Sequence, residues 1–104
     1  GRRFDEAGKI FAEVIADAPD EFYARLYLGR VHTMQRDYEK ALSEFNRGVE
    51  LNRKFFDLYY HRAVVRAKLR DPGGALSDLN QADRINPVNG LTDALRNSIK
   101  SGRN

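Results

Sequence analysis

The sequence predicts an all-α protein, a solenoid of about six helices arranged as stacked antiparallel pairs. The first observation is a repeat: the Ala-Leu-Ser stretch at 41–43 returns at 75–77, 34 residues later, and further matches at this shift run along the whole unit. A fixed period of this length is typical of helical repeat proteins. The second observation is that apolar residues keep the spacing of an amphipathic helix on both sides of a short break within each unit.

The first complete repeat is predicted at 22–55 and divides at Arg36-Asp37. Apolar residues at helical spacing lie before the break, at 23–34, and after it, at 41–51, which predicts one helix on each side. Asp37 is expected to cap the second helix, because its carboxylate can accept a backbone N–H that has no partner within the helix.

The second complete repeat is predicted at 56–89, with its break at 70–74. Asp71 is the expected cap of its second helix. Pro72 is favourable in the first turn of that helix, because a backbone N–H there would find no intrahelical partner. The second repeat is therefore expected to have the same two-helix design as the first.

Two shorter segments flank the complete repeats. Phe4, Ala7 and Phe11 match the apolar pattern of a second helix one period later, so 1–21 is predicted to be the second helix of a truncated repeat whose first helix is missing. The last segment, 90–104, is predicted to be an amphipathic capping helix followed by a frayed tail.

The composition excludes several kinds of protein and site. The 104 residues are 41% hydrophobic and 32% charged, which is an ordinary balance for a soluble helical domain. No apolar run reaches the roughly 18–20 residues of a membrane-spanning helix. With no cysteine there is no disulfide, thiol nucleophile or thiolate metal site. This is compatible with a reducing compartment and favours a cytoplasmic location.

No catalytic, cofactor-binding or metal-binding residues are predicted. The two histidines, His32 and His61, lie on different helices, and neither has a partner at the spacing of a metal-binding pair. Gly73-Gly74 lacks the lysine and hydroxyl residue of a phosphate-binding loop and is interpreted as a turn. The sequence therefore predicts a protein that is not an enzyme and has no cofactor.

Small and large residues recur at fixed positions in the two complete repeats. They are Leu28-Gly29, Asp37-Tyr38, Ala41, Phe45 and Gly48 in the first, and Tyr59, Ala63, Asp71, Ala75, Ala82 and Pro87 in the second. In these residues the sequence resembles the tetratricopeptide repeat, a helix–turn–helix unit of 34 residues. The resemblance implies a right-handed superhelix whose first helices line a concave groove. Arg62 and Arg66 depart from the family's preferences, so the second repeat is expected to pack less tightly.

The residues predicted to line the groove lie on one face of each first helix. At about 100° per residue this face is turned away from the small residue of that helix. The predicted residues are Tyr23, Tyr27, Arg30 and Met34 in the first repeat and Asp57, Tyr60, His61, Val64 and Lys68 in the second. Tyrosine and arginine are enriched among residues that dominate binding energies. The same tyrosines could instead fill contacts between neighbouring first helices.

The leading hypothesis is a scaffold that binds a peptide or an amphipathic helix of a partner protein in this groove. Some members of the resembled family hold a chaperone's C-terminal carboxylate with lysines and asparagines, but Leu26, Arg30 and His61 stand at those positions here. One alternative is a homodimer through the apolar stripe of the truncated N-terminal helix. Another is RNA binding, suggested by the net charge of +3 and the basic residues at 62–70. Since the charge is otherwise spread along the chain, nucleic acid is the weaker candidate.

Overall fold

A computed structural model describes residues 1–102, which form six α-helices and, within that range, no β-strand. The helices are α1 (Arg2–Asp17), α2 (Phe22–Met34), α3 (Tyr38–Leu51), α4 (Phe56–Lys68), α5 (Pro72–Ile85) and α6 (Leu91–Lys100). The predicted all-α class and the number of helices are confirmed. Arg103 and Asn104, at the end of the predicted tail, lie outside the described residues.

The chain forms two compact units, Gly1–Arg53 with α1 to α3 and Lys54–Asn104 with α4 to α6. In the first unit α2 packs against α3 and α1 packs against α2. In the second unit α4 packs against α5, and α6 contacts both. The helix pairs are therefore α2 with α3 and α4 with α5. The repeat boundaries inferred from the period, at 22–55 and 56–89, stay a prediction.

Each helix pair is built around a small residue that faces a large one. In the first pair the ring of Phe45 lies over Gly29 and is fully buried, so a methyl group at Gly29 would clash with three ring atoms. Ala63 and Leu79 hold the equivalent positions of the second pair, and both are fully buried. Burying a large apolar side chain contributes about 2 kcal/mol, and the small partner allows the two helices to approach closely.

The second helix pair is as well excluded from solvent as the first, and the expected looser packing stays a prediction. Arg62 and Arg66 contribute to this exclusion, because their guanidinium groups turn inward instead of into water. Arg62 lies 2.7 Å and Arg66 3.0 Å from the carboxylate of Asp78, which is 1% exposed. The arginine stems cover apolar surface on the way to this carboxylate.

A residue in the left-handed conformation ends the first helix of each pair. Arg36 has a φ of 61° and Arg70 a φ of 62°. In both turns the next residue, an aspartate, donates its backbone N–H to a carbonyl of the preceding helix at 2.8 Å, which closes the helix in a Schellman arrangement. A left-handed backbone costs a non-glycine residue about 1 kcal/mol, so this turn is held by the packing of the two helices that it joins.

The caps of the two second helices differ. The carboxylate of Asp71 accepts the backbone N–H of Gly74 at 2.9 Å, and Pro72 opens α5, as predicted. The predicted capping role of Asp37 is wrong, because no side chain caps α3. The Asp37 carboxylate lies 3.6 Å from the ammonium group of Lys40 instead.

The last helix is tied to α5 by a polar cluster. The hydroxyl of Thr92, a residue 2% exposed, donates to the carboxylate of Asp83 at 2.5 Å. Arg96 donates to the same carboxylate at 2.7 Å. On its apolar side, α6 contributes Leu95 and Ile99 to the core of the second unit. This cluster fixes α6 against the pair formed by α4 and α5.

Candidate functional site

The α2 helix presents a row of large side chains to solvent. Tyr23 is 48% exposed, Tyr27 41% and Met34 61%, and Arg30 is also exposed. Because they stand four, three and four residues apart, all four lie on one side of the helix. The opposite side of α2 is buried in the first unit, where Gly29 meets α3. The four residues predicted in the first repeat are thus brought together on one accessible surface, which we call the α2 face.

Aromatic contacts hold the tyrosines of the α2 face in place. The ring of Tyr27 stacks on Phe11 of α1, with ring centroids 5.5 Å apart, and the guanidinium of Arg30 lies 5.8 Å from the Tyr27 centroid. The ring of Tyr23 stacks on Phe22 at 4.1 Å. Side chains that are already positioned lose less entropy when a ligand binds. The α2 face is therefore partly organised before any partner arrives.

A shallow pocket of about 260 Å³ lies beside this row, between α1 and α2. Its lining residues are Phe4, Ala7, Phe11, Tyr27, Arg30, Val31 and Met34. Three of the four residues of the α2 face thus also border α1. This pocket could not be predicted from the sequence, because it depends on how α1 packs against α2.

The five residues predicted in the second repeat are less accessible. Asp57 and Lys68 are exposed, whereas His61 and Val64 are partly buried. Tyr60 packs against the buried core of the second unit. These five residues form what we call the α4 face, which is more polar than the α2 face.

The ring of Tyr60 is held between two neighbours. It stacks on Phe56 with ring centroids 6.1 Å apart, and the imidazole of His61 meets it edge-on at 5.3 Å. Removing the Tyr60 ring would therefore disturb the packing of α4 as well as any contact to a partner. For this reason Tyr60 is a poor position at which to test binding.

Ion pairs between the helices of each pair were not predicted. Arg25 donates to Glu44 at 2.9 Å in the first pair, and Asp78 receives two arginines in the second. One signal was present in the sequence, since Glu44 and Asp78 stand one period apart. These arginines pair with carboxylates of their own unit, so the basic stretch at 62–70 presents less free positive charge than the sequence suggested.

The pKa of the Asp83 carboxyl group is lowered in the folded chain. The hydrogen bond from Thr92 lowers the pKa of the Asp83 carboxyl below its ordinary value of 3.8. Burial opposes this shift, and hydrogen bonds from Arg96 and Asn89 add to it. Because Thr92 and Arg96 are partners within the same unit, this cluster serves to anchor α6.

The described residues offer no evidence for catalysis. Over 1–102, no three His, Cys, Asp or Glu side chains are grouped so that they could hold a metal ion. In the same range, no helix combines the length and the apolar character needed to cross a membrane. The α2 and α4 faces present aromatic, aliphatic and cationic side chains and, at Asp57, an exposed carboxylate.

Comparison with known proteins gives a family match over residues 2–69, to the tetratricopeptide repeat. Among characterised proteins, the chain is 32% identical over 97 residues to human protein O-mannosyl-transferase TMTC3. That alignment covers 92% of this chain and 10% of the transferase, so the chain spans about a tenth of the length of this relative.

Solved structures show the same fold. The first tetratricopeptide domain of Spaghetti (RPAP3), bound to the HSP90 peptide SRMEEVD, has a TM-score of 0.93 at 20% identity, covering 96% of this chain and 79% of that one. PcrH in complex with the chaperone binding region of PopD has a TM-score of 0.79 at 23% identity, covering 97% and 76%. The family model matches more than half of the chain. The helix pairs and their contacts between a small and a large residue are consistent with that match. The chain belongs to the tetratricopeptide repeat family.

Proposed function

We propose that this chain is a protein-interaction module that binds a peptide or a helix of a partner protein through the α2 and α4 faces, without a chemical step. The observation that carries the proposal is the row of Tyr23, Tyr27 and Met34, all more than 40% exposed on a helix whose other side is tightly packed. Contiguous exposed apolar side chains of this size mark interaction surfaces.

The energetics of the α2 face favour a peptide ligand. At about 25 cal/mol per Å² of apolar surface, covering each tyrosine would contribute on the order of 1–2 kcal/mol before ordering costs. The guanidinium of Arg30 lies over the ring of Tyr27 and can pair with a ligand carboxylate while it stays there. The α4 face adds the charged ends of Asp57 and Lys68, which favour a ligand with mixed charge.

Similar structures support a binding role and narrow the kind of ligand. The domain of Spaghetti carries a peptide with the sequence SRMEEVD, and PcrH carries a region of PopD. In our chain Leu26 stands where a carboxylate clamp needs a polar side chain, and it is 1% exposed. We therefore propose a ligand that is recognised by its aromatic and aliphatic side chains, not by a C-terminal carboxylate.

Selection from a library of displayed random peptides provides the test. The peptide selected on the immobilised chain is labelled, and its affinity is measured by fluorescence anisotropy. Tyr23→Ala should weaken binding about fivefold to tenfold, equivalent to roughly 1 kcal/mol. Val88→Ala is the control, because it removes an apolar side chain that is 91% exposed outside both faces.

A second matched pair tests the α4 face. Lys68→Ala should weaken binding of the same peptide more than Arg84→Ala does. Arg84 is the control, since it is an exposed cation on α5, outside both faces. Equal effects of the face variants and their controls would refute the assignment of the binding faces.

Self-association is a second candidate, favoured by the apolar side chains that α1 exposes. Phe4 is 38%, Ile10 58% and Val14 41% exposed. Light scattering over a range of concentrations would detect a dimer. RNA binding is not proposed, because Arg62 and Arg66 are paired with Asp78.

A further inference from the structure

The turn between α5 and α6 contains the dipeptide Asn89-Gly90, and no other asparagine of the sequence precedes a glycine. An asparagine before glycine is chemically labile, because the backbone nitrogen of the glycine can attack the side-chain Cγ atom. A side chain on the following residue hinders this attack. Gly90 has none: it is exposed, and a Cβ atom built on it would lie in open space. Its φ of 74° is a conformation that favours glycine.

The side-chain amide of Asn89 is also part of the folded structure. Its oxygen accepts the backbone N–H of Thr92 at 2.9 Å and the Thr92 hydroxyl lies 3.2 Å from it. Its nitrogen donates to the carbonyl oxygen of Asn86 at 2.7 Å and lies 3.4 Å from the carboxylate of Asp83. The Asn89 amide therefore belongs to the polar cluster that anchors α6 to α5.

We propose that Asn89 is a site of hydrolytic deamidation, that the packed position of α6 protects it, and that the reaction releases α6. The Gly90 nitrogen forms a bond to Cγ of Asn89, the bond between Cγ and Nδ2 breaks, and ammonia leaves with the proton of the Gly90 amide. Water then opens the cyclic imide and leaves aspartate or isoaspartate. The net reaction consumes water and releases ammonia. The site lies outside the α2 and α4 faces, so it does not depend on the proposed function.

The reaction competes with the hydrogen bonds of the Asn89 amide. The attack requires the amide to turn toward the Gly90 nitrogen, and the imide has no N–H group left to donate to Asn86. The backbone N–H of Thr92, a residue 2% exposed, would also lose its acceptor. A buried polar group without a partner is costly. The reaction therefore proceeds mainly from molecules in which α6 has opened locally, and its rate follows their population.

Both products fit the closed turn poorly. In aspartate an oxygen replaces Nδ2, which lies 3.4 Å from the Asp83 carboxylate, so a donor gives way to a second negative charge. Isoaspartate adds a methylene group to the backbone and displaces the acceptor of the Thr92 N–H. Neither product can donate to Asn86 when its carboxylate is ionised. Because the ammonia is lost to solvent, the released state of α6 persists.

The first experiment measures how strongly the fold protects Asn89. The full chain and a synthetic peptide of residues 86–93 are incubated in the same mildly alkaline buffer. Peptide mapping by mass spectrometry follows the conversion of the Asn89 amide to an acid. The free peptide should react about tenfold faster or more, because it has no packed α6. Equal rates would overturn the protection, and a peptide that does not react would overturn the site.

A matched pair of substitutions tests whether α6 provides the protection. Ile99→Ala removes contacts between α6 and the core of the second unit without changing the residues around Asn89. It should speed deamidation about tenfold, because lost packing raises the open population. Ile15→Ala removes the same atoms from α1, where Ile15 is also partly buried, and should leave the rate unchanged. If the two variants react at the same rate, the proposal is overturned.

Hydrogen exchange tests the consequence for α6. The deamidated chain is separated from the native chain by ion exchange, and the backbone amides of α6 should exchange about tenfold faster in it. Asn89→Asp supplies the aspartate product directly and should have the same effect. Asn80→Asp is the control, because it changes an exposed amide of α5 to a carboxylate and should not speed the exchange. If α6 keeps its native protection in the deamidated chain, the release of α6 is refuted.

Discussion

The helix pairs α2/α3 and α4/α5 solve one packing problem with different residues. Gly29 faces Phe45 in the first pair, and Ala63 faces Leu79 in the second, so a gain in size on one helix accompanies a loss on the other. Cores tolerate such exchanges when their total volume is kept. The comparison teaches that the two helix pairs repeat the combined volume of the two facing residues, not the identity of either residue.

The ion pairs that join the two helices of each pair differ in the same way. The acid keeps its position, as Glu44 and Asp78, but its partner is Arg25 near the start of α2 in one case and Arg62 with Arg66 along α4 in the other. A carboxylate at this point can thus be reached from different turns of the facing helix. The second pair concentrates more charge around one nearly inaccessible group.

The largest predicted effect follows from this concentration of charge. Asp78→Ala should lower the free energy of unfolding by about 3 kcal/mol, because it leaves two partly buried arginines without their acceptor. Glu44→Ala leaves one arginine and should cost about half as much. Urea unfolding followed by circular dichroism measures both.

A compensated variant tests the cause of that loss. Replacing Arg62 and Arg66 by Met and Asp78 by Leu removes every member of the buried cluster and should recover most of the stability. If the triple variant is as unstable as Asp78→Ala, then packing volume and not charge accounts for the difference between the two helix pairs.

The next effect tests the exchange of size between helices. Gly29→Ala should cost about 2 kcal/mol, because its methyl group collides with the ring of Phe45, which is fully buried and cannot move freely. Adding Phe45→Leu gives the first pair the residues of the second and should restore stability to within about 1 kcal/mol of the native chain. Thermal unfolding of the two single variants and the double variant checks this. Additive losses would show that the pairs are not interchangeable.

The sequence was sufficient to predict the fold because the relevant pattern is local and occurs twice. Apolar spacing and the recurrence of Ala41 as Ala75 predict the helices without reference to any distant residue. The exposed row on α2 was also predictable, since Tyr23 and Tyr27 lie one helical turn apart and both face away from Gly29. These inferences need only the geometry of one helix.

The features that were missed depend on pairs of helices. Arg25 and Glu44 are 19 residues apart, whereas Arg62 and Asp78 are 16 apart, so no single spacing in the sequence marks the two ion pairs. The partial burial of Tyr60 depends in the same way on its neighbours in the core of the second unit, which the periodicity of α4 alone does not contain.

A smaller effect concerns the contact that each unit makes between a second helix and the helix that follows it. Between α1 and α2 this is an exposed hydrogen bond from Gln35 to Asp5 at 2.8 Å. Between α5 and α6 it is the Asp83 carboxylate with Thr92. At neutral pH, Thr92→Val should lower the free energy of unfolding by about 1 kcal/mol. The loss is moderate, since the hydrogen bond from Thr92 to the charged Asp83 carboxylate is only partly shielded from solvent. Gln35→Ala should lower the free energy of unfolding by only a few tenths of a kcal/mol.

The pH dependence distinguishes these two contacts. The pKa of the Asp83 carboxyl is lowered in the folded chain, so its contribution to stability is complete above 3.8 and is lost as the pH falls through the folded pKa. The stability difference between the native chain and Thr92→Val should therefore shrink in acid. A difference that stays constant down to the lowest pH at which the chain folds would show that Thr92 acts through packing alone. Urea titrations at a series of pH values measure it.

An effect of similar size distinguishes the caps of α3 and α5. Asp71→Ala should cost about 1 kcal/mol, and Asp37→Ala only a few tenths, because only the first carboxylate accepts a backbone N–H. The residue three positions after each aspartate explains the difference. Gly74 has no side chain, and a Cβ there would displace the Asp71 carboxylate. Lys40 stands at the equivalent position of α3, and its ammonium group binds the Asp37 carboxylate instead. Thermal unfolding of the two variants decides the point. If they lose equal stability, Asp37 caps α3 in solution, and the two second helices begin in the same way.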